Sequence, residues 1–563
     1  MEDIKKIWKL IVPYWRSEEK FKAWALLFFV MGLSLSNVWL LIRLNQFTRD
    51  VYNAFERKSY IELLHQIYIF IILIIVFVVV HSGKNIITGF LQFSWRRWLT
   101  TNFLARWSKD NRYYHVMLKR GHVDNPDQRI SQDLRFLAFL SLDLFLIFLL
   151  EVVSLVSFAV ILWKISANLP LQILGHQYHI KGYLLWIALI YSGIGTYLAV
   201  KIGKPLINLD FINEKYEADF RFSLIRLQEK REEAALYNGT QTEIGYLRDA
   251  FNNIQENFYA ILVRTFYMNV YRAFYINLDQ LIPLFSVSPM YFSGIVTLGV
   301  VMQVVSAFGH IMNSLAVIVN NFTNIASWRA SVRRLLEFTD CMDESEYEAL
   351  TNKIKIKTFR EKINISDVSL YTPDNREILK NINFFLDKGD RVLLVGESGI
   401  GKSTIIRALA GLWTHGEGGV IIPKEKIFFV PQRPYMPITT LRQAILYPEQ
   451  NLETKVLDSK IEKLLHDFKL GYLAFQLGDN KDWGSALSLG EQQRVSFIRI
   501  LLHKPEWLIM DEPTSSLNDK LQELSFNLLF SNLKNPTILT VGHTKELRKF
   551  HTKIINVENW VVE

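Results

Sequence analysis

The chain opens with MEDIKKIWKLIVPYWRSEEKFK, where Lys, Trp and Ile recur at spacings that suit an amphipathic helix lying on a membrane surface. So charged a leader is too long for the n-region of a signal peptide, and this end is expected to stay attached. Long apolar runs follow. Ile67 to Val80, IYIFIILIIVFVVV, carries no charge and extends on both sides to roughly the 20 residues a bilayer crossing needs. Runs of this kind predict six membrane helices, at about 21–44, 62–84, 136–163, 183–203, 258–284 and 289–319. Burying so many long apolar helices in water would take a much larger soluble core than this part of the chain could build. After Leu336 the texture changes: FTDCMDESEYEALTNK reads as an acidic, polar linker at 339–353. It separates a transmembrane domain, 1–338, from a soluble domain, 354–563. In the latter RVLLVG, KIFFVP, EWLIMDE and TILTVG alternate with helical segments, the pattern of an α/β domain on a largely parallel sheet.

Charge fixes the orientation. The stretch from Arg96 to Arg135, Lys119 and Arg120 included, and that from Lys201 to Arg231 are rich in Lys and Arg, whereas only Lys164 and Lys181 lie between the third and fourth spans. Basic loops are retained on the cytoplasmic side, so the loops after spans two and four, both termini and the soluble domain are placed there. The same loops account for the net charge of +9 without a nucleic-acid partner. The single cysteine, Cys341, excludes a disulfide framework or a Cys-based metal centre within one chain.

Gly396-Glu397-Ser398-Gly399-Ile400-Gly401-Lys402-Ser403-Thr404 follows the strand-like RVLLV and precedes the helical IIRALAGLW, the context a P-loop requires. Its glycines let backbone N–H groups close around phosphates at a helix N-terminus. Lys402 then places a charge on the β/γ oxygens, and Ser403 offers a hydroxyl to magnesium. Further on, Trp507 to Glu512 reads as a buried strand delivering two carboxylates at its C-terminal end, where parallel sheets hold ligands. Asp511 would hold magnesium and Glu512 would act as general base toward water. Capping of the next helix is the plainer reading of the same pair.

Between these motifs, Leu487-Ser488-Leu489-Gly490-Glu491-Gln492-Gln493-Arg494 resembles the signature segment of ATP-binding cassette proteins. Tyr371, Gln432 and His543 match, in order, the aromatic, glutamine and histidine of that family's pattern. The resemblance implies that Tyr371 stacks on adenine, that Gln432 senses magnesium and contacts the membrane domain, and that His543 holds the γ-phosphate. Ser488 and Gly490 would act in trans on ATP held by a second copy, so a homodimer with two equivalent sites is implied. Glu512, His543 and Gln432 form the catalytic set on this reading, Ser403, Gln432 and Asp511 the magnesium set, and ATP with Mg2+ the cofactors. Two positions depart from the family: LSLGE stands for the commoner LSGGQ, and Asn518 in PTSSLN replaces a usual Asp in a segment that serves communication across the dimer.

Six spans followed by one cassette resemble a half-transporter with the type IV, exporter-like membrane fold. NPDQRI at 125–130, EADFRF at 217–222, SFAVILW at 157–163, PMYFSGIVTLGVVMQVVSAF at 289–308, PQRPYMP and LSLGEQQR together are similar to the ATP-driven relatives of the SbmA/BacA peptide transporters, the YddA-like proteins included. Peroxisomal acyl-CoA transporters of ABC subfamily D share the architecture and the NPDQ-like and QRPYM segments. The resemblance implies a bacterial inner membrane and import of peptides, cobalamin-like compounds or other hydrophilic or amphipathic solutes. Fatty acyl-CoA transport, or a proton-driven permease with a regulatory cassette, are the alternatives. It also assigns EEAALYNGTQTE, 232–243, and the NPDQRI region to cytoplasmic helix extensions that dock on the cassette; otherwise they are a solvated helix face and an ordinary Asn-Pro turn.

Two sets of polar residues in the spans are candidates for the substrate path. Arg272 and Asp279, seven apart, fall on nearly one face of span five and either line a cavity or sit at interfacial ends. In span six Gln303, Ser306, His310, Asn313, Asn320 and Asn324 recur at spacings of three, four or seven, with Val317 interrupting. That stripe either faces a central cavity or forms a polar seam with neighbouring helices.

Overall fold

Most of the apolar runs fold into helices much longer than a bilayer is thick. The computed structural model describes residues 2–118, 125–167, 169–173, 176–351, 353–359, 362–449, 454–543 and 545–561. Two compact units emerge, one of residues 1–104 and 125–336, the other of 105–124 and 337–563.

In the first unit α1 (Glu2–Trp15) buries Leu10 and Tyr14 and exposes Lys5, Trp8 and Lys9. Its end is pinned by aromatic packing, with Tyr14 stacked on Trp95 at 5.8 Å and Trp15 against Trp24 at 5.3 Å. Then come α2 (Lys20–Glu56) and α3 (Tyr60–Ser108). Along α3, Ile71, Ile75 and Val79 are all exposed. An apolar row of that length facing outward is a liability in water and the expected surface in lipid. α4 (Arg112–Leu118) belongs to the second unit, whereas α5 (Leu134–Ser166), α6 (Tyr183–Glu229), the short α7 (Arg231–Leu236), α8 (Thr240–Phe292) and α9 (Leu298–Leu315) complete the membrane bundle. Its core gathers Phe158 and Leu162 of α5, Leu184 and Ala188 of α6, Val287 of α8, and Val304, Phe308 and Ile311 of α9.

Of α2, α3, α5, α6, α8 and α9, the six long helices that follow the expected spans, five are apolar enough to cross a membrane by length and composition. The exception is α8, whose C-terminal half carries Asn277, Asp279 and Gln280. Several expected boundaries move. Pro289, taken as the start of span six, lies inside α8, which runs through both Pro283 and Pro289; span six begins at Leu298. The basic loops are largely helix: α3 continues to Ser108 and α6 to Glu229, because helix beyond the bilayer must be polar. Lys119 and Arg120 lie outside the described residues. The acidic linker is helical as far as Thr351, since α10 (Val317–Asn320) is followed by α11 (Phe322–Thr351). Phe338, Met342 and Ser345 of α11 are buried, an amphipathic spacing hidden among the acids.

The NPDQ turn places Asn125 in the left-handed region with Pro126 opening the next helical turn. Beyond it the Asp133 carboxylate, 1% exposed, receives Arg129 at 3.0 Å and Arg334 of α11 in a two-point contact at 3.0 and 2.5 Å. A buried carboxylate so paired ties the start of α5 to α11.

The second unit begins with α4, whose Leu118 packs on the cassette core and whose Arg112 meets Glu346 of α11 at 2.6 Å. The strands of its two larger sheets are β1 (Lys353–Thr358), β2 (Lys362–Tyr371), β3 (Glu377–Asp387), β4 (Arg391–Val395), β5 (Gly416–Ile422), β6 (Ile427–Val430), β7 (Trp507–Asp511), β8 (Thr537–Val541) and β9 (Lys553–Asn556). A parallel five-stranded sheet has the order β9-β4-β8-β7-β6, and a mixed sheet the order β1-β5-β2-β3. Both faces of the parallel sheet are covered, which explains the near-continuous apolar runs RVLLV, WLIM and TILTV. Its strands point their C-terminal ends one way, so that the segments after β4, β6, β7 and β8 share one edge.

Candidate nucleotide-binding and hydrolysis site

After β4 the chain turns through Gly396 to Gly401 and enters α12 (Lys402–Leu409). Gly399 and Gly401 have φ of 84° and 106°, and a Cβ on Gly401 would sit 3.0 Å from Ile378, so glycine there satisfies both torsion and space. Lys402 is 5% exposed and its Nζ bonds to the carbonyls of Gly396 and Glu397 at 2.8 and 2.6 Å. Burial lowers its pKa, with the carboxylates of Glu512 and Asp511 opposing the shift. Glu397, Ser398, Ile400, Ser403 and Thr404 complete the loop and first turn as expected.

Asp511 ends β7. Burial raises its pKa, the Ser403 hydroxyl bond lowers it, and Glu512 beside it raises it again. Its Oδ1 is enclosed without a hydrogen-bond partner. An enclosed carboxylate oxygen next to a serine hydroxyl fits a hard divalent cation, so Asp511 and Ser403 would hold magnesium, which when bound draws charge off the phosphates.

Glu512 follows in a left-handed conformation, φ 44°, while its N–H still bonds to the Val541 carbonyl of β8 at 3.0 Å. Both side-chain oxygens are engaged: Oε2 accepts from Gln432 Nε2 at 2.9 Å and Oε1 lies 2.9 Å from His543 Nε2. The structure thus brings together the three residues expected to be catalytic, each delivered by the end of a parallel strand. A carboxylate oriented from two sides can take a proton from water at one defined place. Gln432 reaches Glu512 but bonds to neither Ser403 nor Asp511, so its expected metal role has no direct geometric support here.

Tyr371, the last residue of β2, donates its hydroxyl to Glu417 at 3.1 Å, and its carbonyl accepts from Trp413 Nε1 at 3.0 Å. Ser488 caps α13 (Leu489–His503): its hydroxyl accepts from the Glu491 N–H, and Glu491 Oε2 accepts from the Ser488 N–H at 2.9 Å. The Glu491 of LSLGE therefore closes a capping box and also receives Tyr472. Burial raises its pKa, but the Tyr472 and Ser488 bonds outweigh this and hold it below the usual carboxylate range. Asn518 caps α14 (Asp519–Asn532) through the Leu521 N–H at 3.0 Å, a task Asp would perform equally. Two groups escaped the sequence reading. Gln493 is fully buried and bonded on both sides of its amide, and Arg499, whose pKa burial pushes down to about 10, donates to the Ala444 carbonyl. Helical phase puts Gln493 on the side of Phe497, four residues on, but only the fold shows its partners.

The membrane candidates separate. Arg272 is exposed on α8, whereas Asp279 is half-buried with Oδ1 enclosed and unpartnered. The stripe is split, because the helix is interrupted at Ala316 and Asn321. Gln303 is buried and its carbonyl accepts from Asn45 of α2 at 3.0 Å, so it sits in a helix seam and not on an open path. His310 stacks on Phe158 at 4.2 Å, Ser306 is half-buried, and Asn313, Asn320 and Asn324 are exposed. A further acid lies here: Ser314 donates to Glu151 of α5 at 2.6 Å.

A P-loop, two strand-end carboxylates, a signature helix and a polytopic helical domain define an ATP-hydrolysing membrane transporter. The ABC transporter transmembrane region 2 family matches residues 7–292 and the ABC transporter family residues 379–515, and the chain belongs to the ABC transporters, as a half-transporter of the subfamily D type. It is 31% identical to the ABC transporter D family member 2, chloroplastic, of Arabidopsis thaliana, over 99% of this chain and 88% of that one. To the inner membrane ABC transporter ATP-binding protein YddA of Escherichia coli it is 30% identical, over 95% and 94%. A bacterial Atm1-family ABC exporter with ATP bound has the same fold, with a TM-score of 0.72 at 16% identity, covering 95% of this chain and 93% of that chain.

Proposed function

We propose that two copies of this chain form a homodimeric transporter in a bacterial inner membrane, with both termini and the cassette cytoplasmic. ATP binding closes the cassette pair and hydrolysis reopens it, carrying hydrophilic or amphipathic solutes such as peptides or cobalamin-like compounds inward. The observation that carries the energy-coupling half is Glu512 held between Gln432 and His543 beside the P-loop sheet edge. ATP drives the switch only through its tighter binding to the closed pair. Ser488, exposed at the N-terminus of α13, presents the kind of helix end that favours a phosphate of the opposite copy. The exposed amides of Asn313 and Asn320 in an otherwise apolar segment support a hydrophilic cargo.

A second reading, acyl-CoA or lipid transport, draws on Arg264 and Arg272, both exposed on α8 and suited to an anionic headgroup. Proton-driven transport with a regulatory cassette would instead use Asp279 or Glu151. Purified protein in liposomes with ATP on one side, assayed against a basic peptide, a cobalamin and an acyl-CoA, separates the first two. ATP-dependent accumulation of the acyl-CoA alone would replace the hydrophilic-cargo reading. Uptake that survives Glu512→Gln and stops with a protonophore would replace ATP as the driving force.

A further inference from the structure

Gln493 lies on α13 one turn after the signature glycine and is 1% exposed. Burying a primary amide is costly unless its groups are paired. Here they are: Nε2 donates to Ser515 Oγ at 3.0 Å and to the Gln432 carbonyl at 3.4 Å, and Oε1 accepts the Ser516 N–H at 3.0 Å.

These partners flank Glu512 on two sides. Gln432 is the residue whose side chain meets Glu512 Oε2, so a bond to its carbonyl fixes the strand end from which that side chain reaches. Ser515 closes the turn that follows Glu512, its N–H bonding to the Glu512 carbonyl at 3.2 Å. One amide therefore holds both the group that orients the carboxylate and the backbone that bears it. Gly490, one turn earlier on the same helix, runs so close to this segment that a Cβ would lie 2.9 Å from the Ser516 carbonyl oxygen.

We infer that Gln493 is a positioning residue for ATP hydrolysis, coupling the placement of the signature helix to that of Glu512. It touches no reacting atom. The inference rests on the reading of Glu512 as base, which Glu512→Gln measured alongside tests separately.

The test uses the full-length dimer in lipid nanodiscs, with Gln493→Met, Gln493→Glu, Ser515→Ala and the two double variants. Glutamate at 493 keeps an acceptor for the Ser516 N–H but can no longer donate to the Gln432 carbonyl. Gln493→Met is expected to lower kcat by about 10-fold or more, with KM for ATP within about 2-fold and Tm nearly unchanged. Gln493→Glu should lower kcat at least as much, since it turns a buried acceptor toward the Gln432 carbonyl. Ser515 is exposed, so Ser515→Ala should fold normally, and its loss should combine with either Gln493 variant less than multiplicatively. Should Gln493→Met fail to fold, the Gln493→Glu and Ser515→Ala cycle decides alone. Multiplicative losses, a kcat within about 2-fold of wild type in the variants that fold, or losses in kcat that follow Tm and nucleotide affinity would each overturn the assignment.

Discussion

Glu512 owes its position to a backbone conformation that non-glycine residues seldom adopt, φ 44° at the end of β7. The cost is met by three contacts, from Val541 to its N–H and from Gln432 and His543 to its two oxygens. An amide in its place keeps the size but cannot take a proton. Glu512→Gln should therefore bind ATP within about 2-fold of wild type while losing roughly 10²–10⁴-fold in hydrolysis, read by a fluorescent-nucleotide titration and phosphate release. Turnover near normal would remove Glu512 from the role. Asp511 makes a different case, because burial raises its pKa in the folded protein. A carboxyl raised on folding destabilises the ionised protein above its folded-state pKa, and the penalty disappears as pH falls below the unfolded value. Asp511→Asn should therefore raise the metal-free Tm at neutral pH by about 2–4 °C, flatten that part of the pH dependence, and abolish magnesium-dependent hydrolysis. A lower metal-free Tm in this variant would show that the buried oxygen is not a burden on the fold.

At the scale of elements, the signature helix α13 is held by the Ser488–Glu491 capping box and by its approach to Ser516. A methyl group at 490 would press on a carbonyl oxygen, which cannot swing away as a side chain can. Gly490→Ala should lower hydrolysis at least about 10-fold while changing Tm by only about 2–4 °C, since the displaced backbone is partly exposed; unchanged kcat would show that the loop yields freely. The cassette elements were legible because each strand is a short apolar run ending in a chemical residue, with Gly401, Gln432, Asp511 and His543 all near the same sheet edge. The membrane boundaries were less so. α9 starts at Leu298 because Glu56 Oε2 and Asn53 Oδ1 of α2 accept the N–H groups of Leu298 and Gly299, at 3.0 and 3.1 Å. A cap supplied from more than two hundred residues away leaves no local signal, whereas Pro289 offered a false one inside α8. Acidic composition likewise concealed α11, whose buried face is set by Phe338 and Met342.

For the whole molecule, the question is which polar groups in the membrane unit meet cargo and which merely hold helices together. Periodicity alone gave one stripe, since Gln303, Ser306, His310 and Asn313 share a phase, but packing divides it. The Gln303 carbonyl is bonded to Asn45, His310 lies flat on Phe158, and Ser314 is bonded to Glu151, whereas Asn313 is exposed and free to meet water or solute. The helix is interrupted at Ala316 and Asn321, and Asn320 and Asn324 are exposed. The two classes should respond differently to the same change. His310→Leu removes a ring stack in the core and should lower the yield of folded dimer, with transport per folded dimer little altered. Asn313→Leu adds apolar surface where polar surface is exposed and should leave expression, dimer formation and basal ATPase near wild type while cutting transport of a basic peptide or a cobalamin in liposomes by several-fold. Because Asn313 is exposed in the single chain, a loss of assembly in Asn313→Leu would mean that its exposed face is covered by the second copy, and the path would then have to be sought along Arg272 and Asp279 of α8.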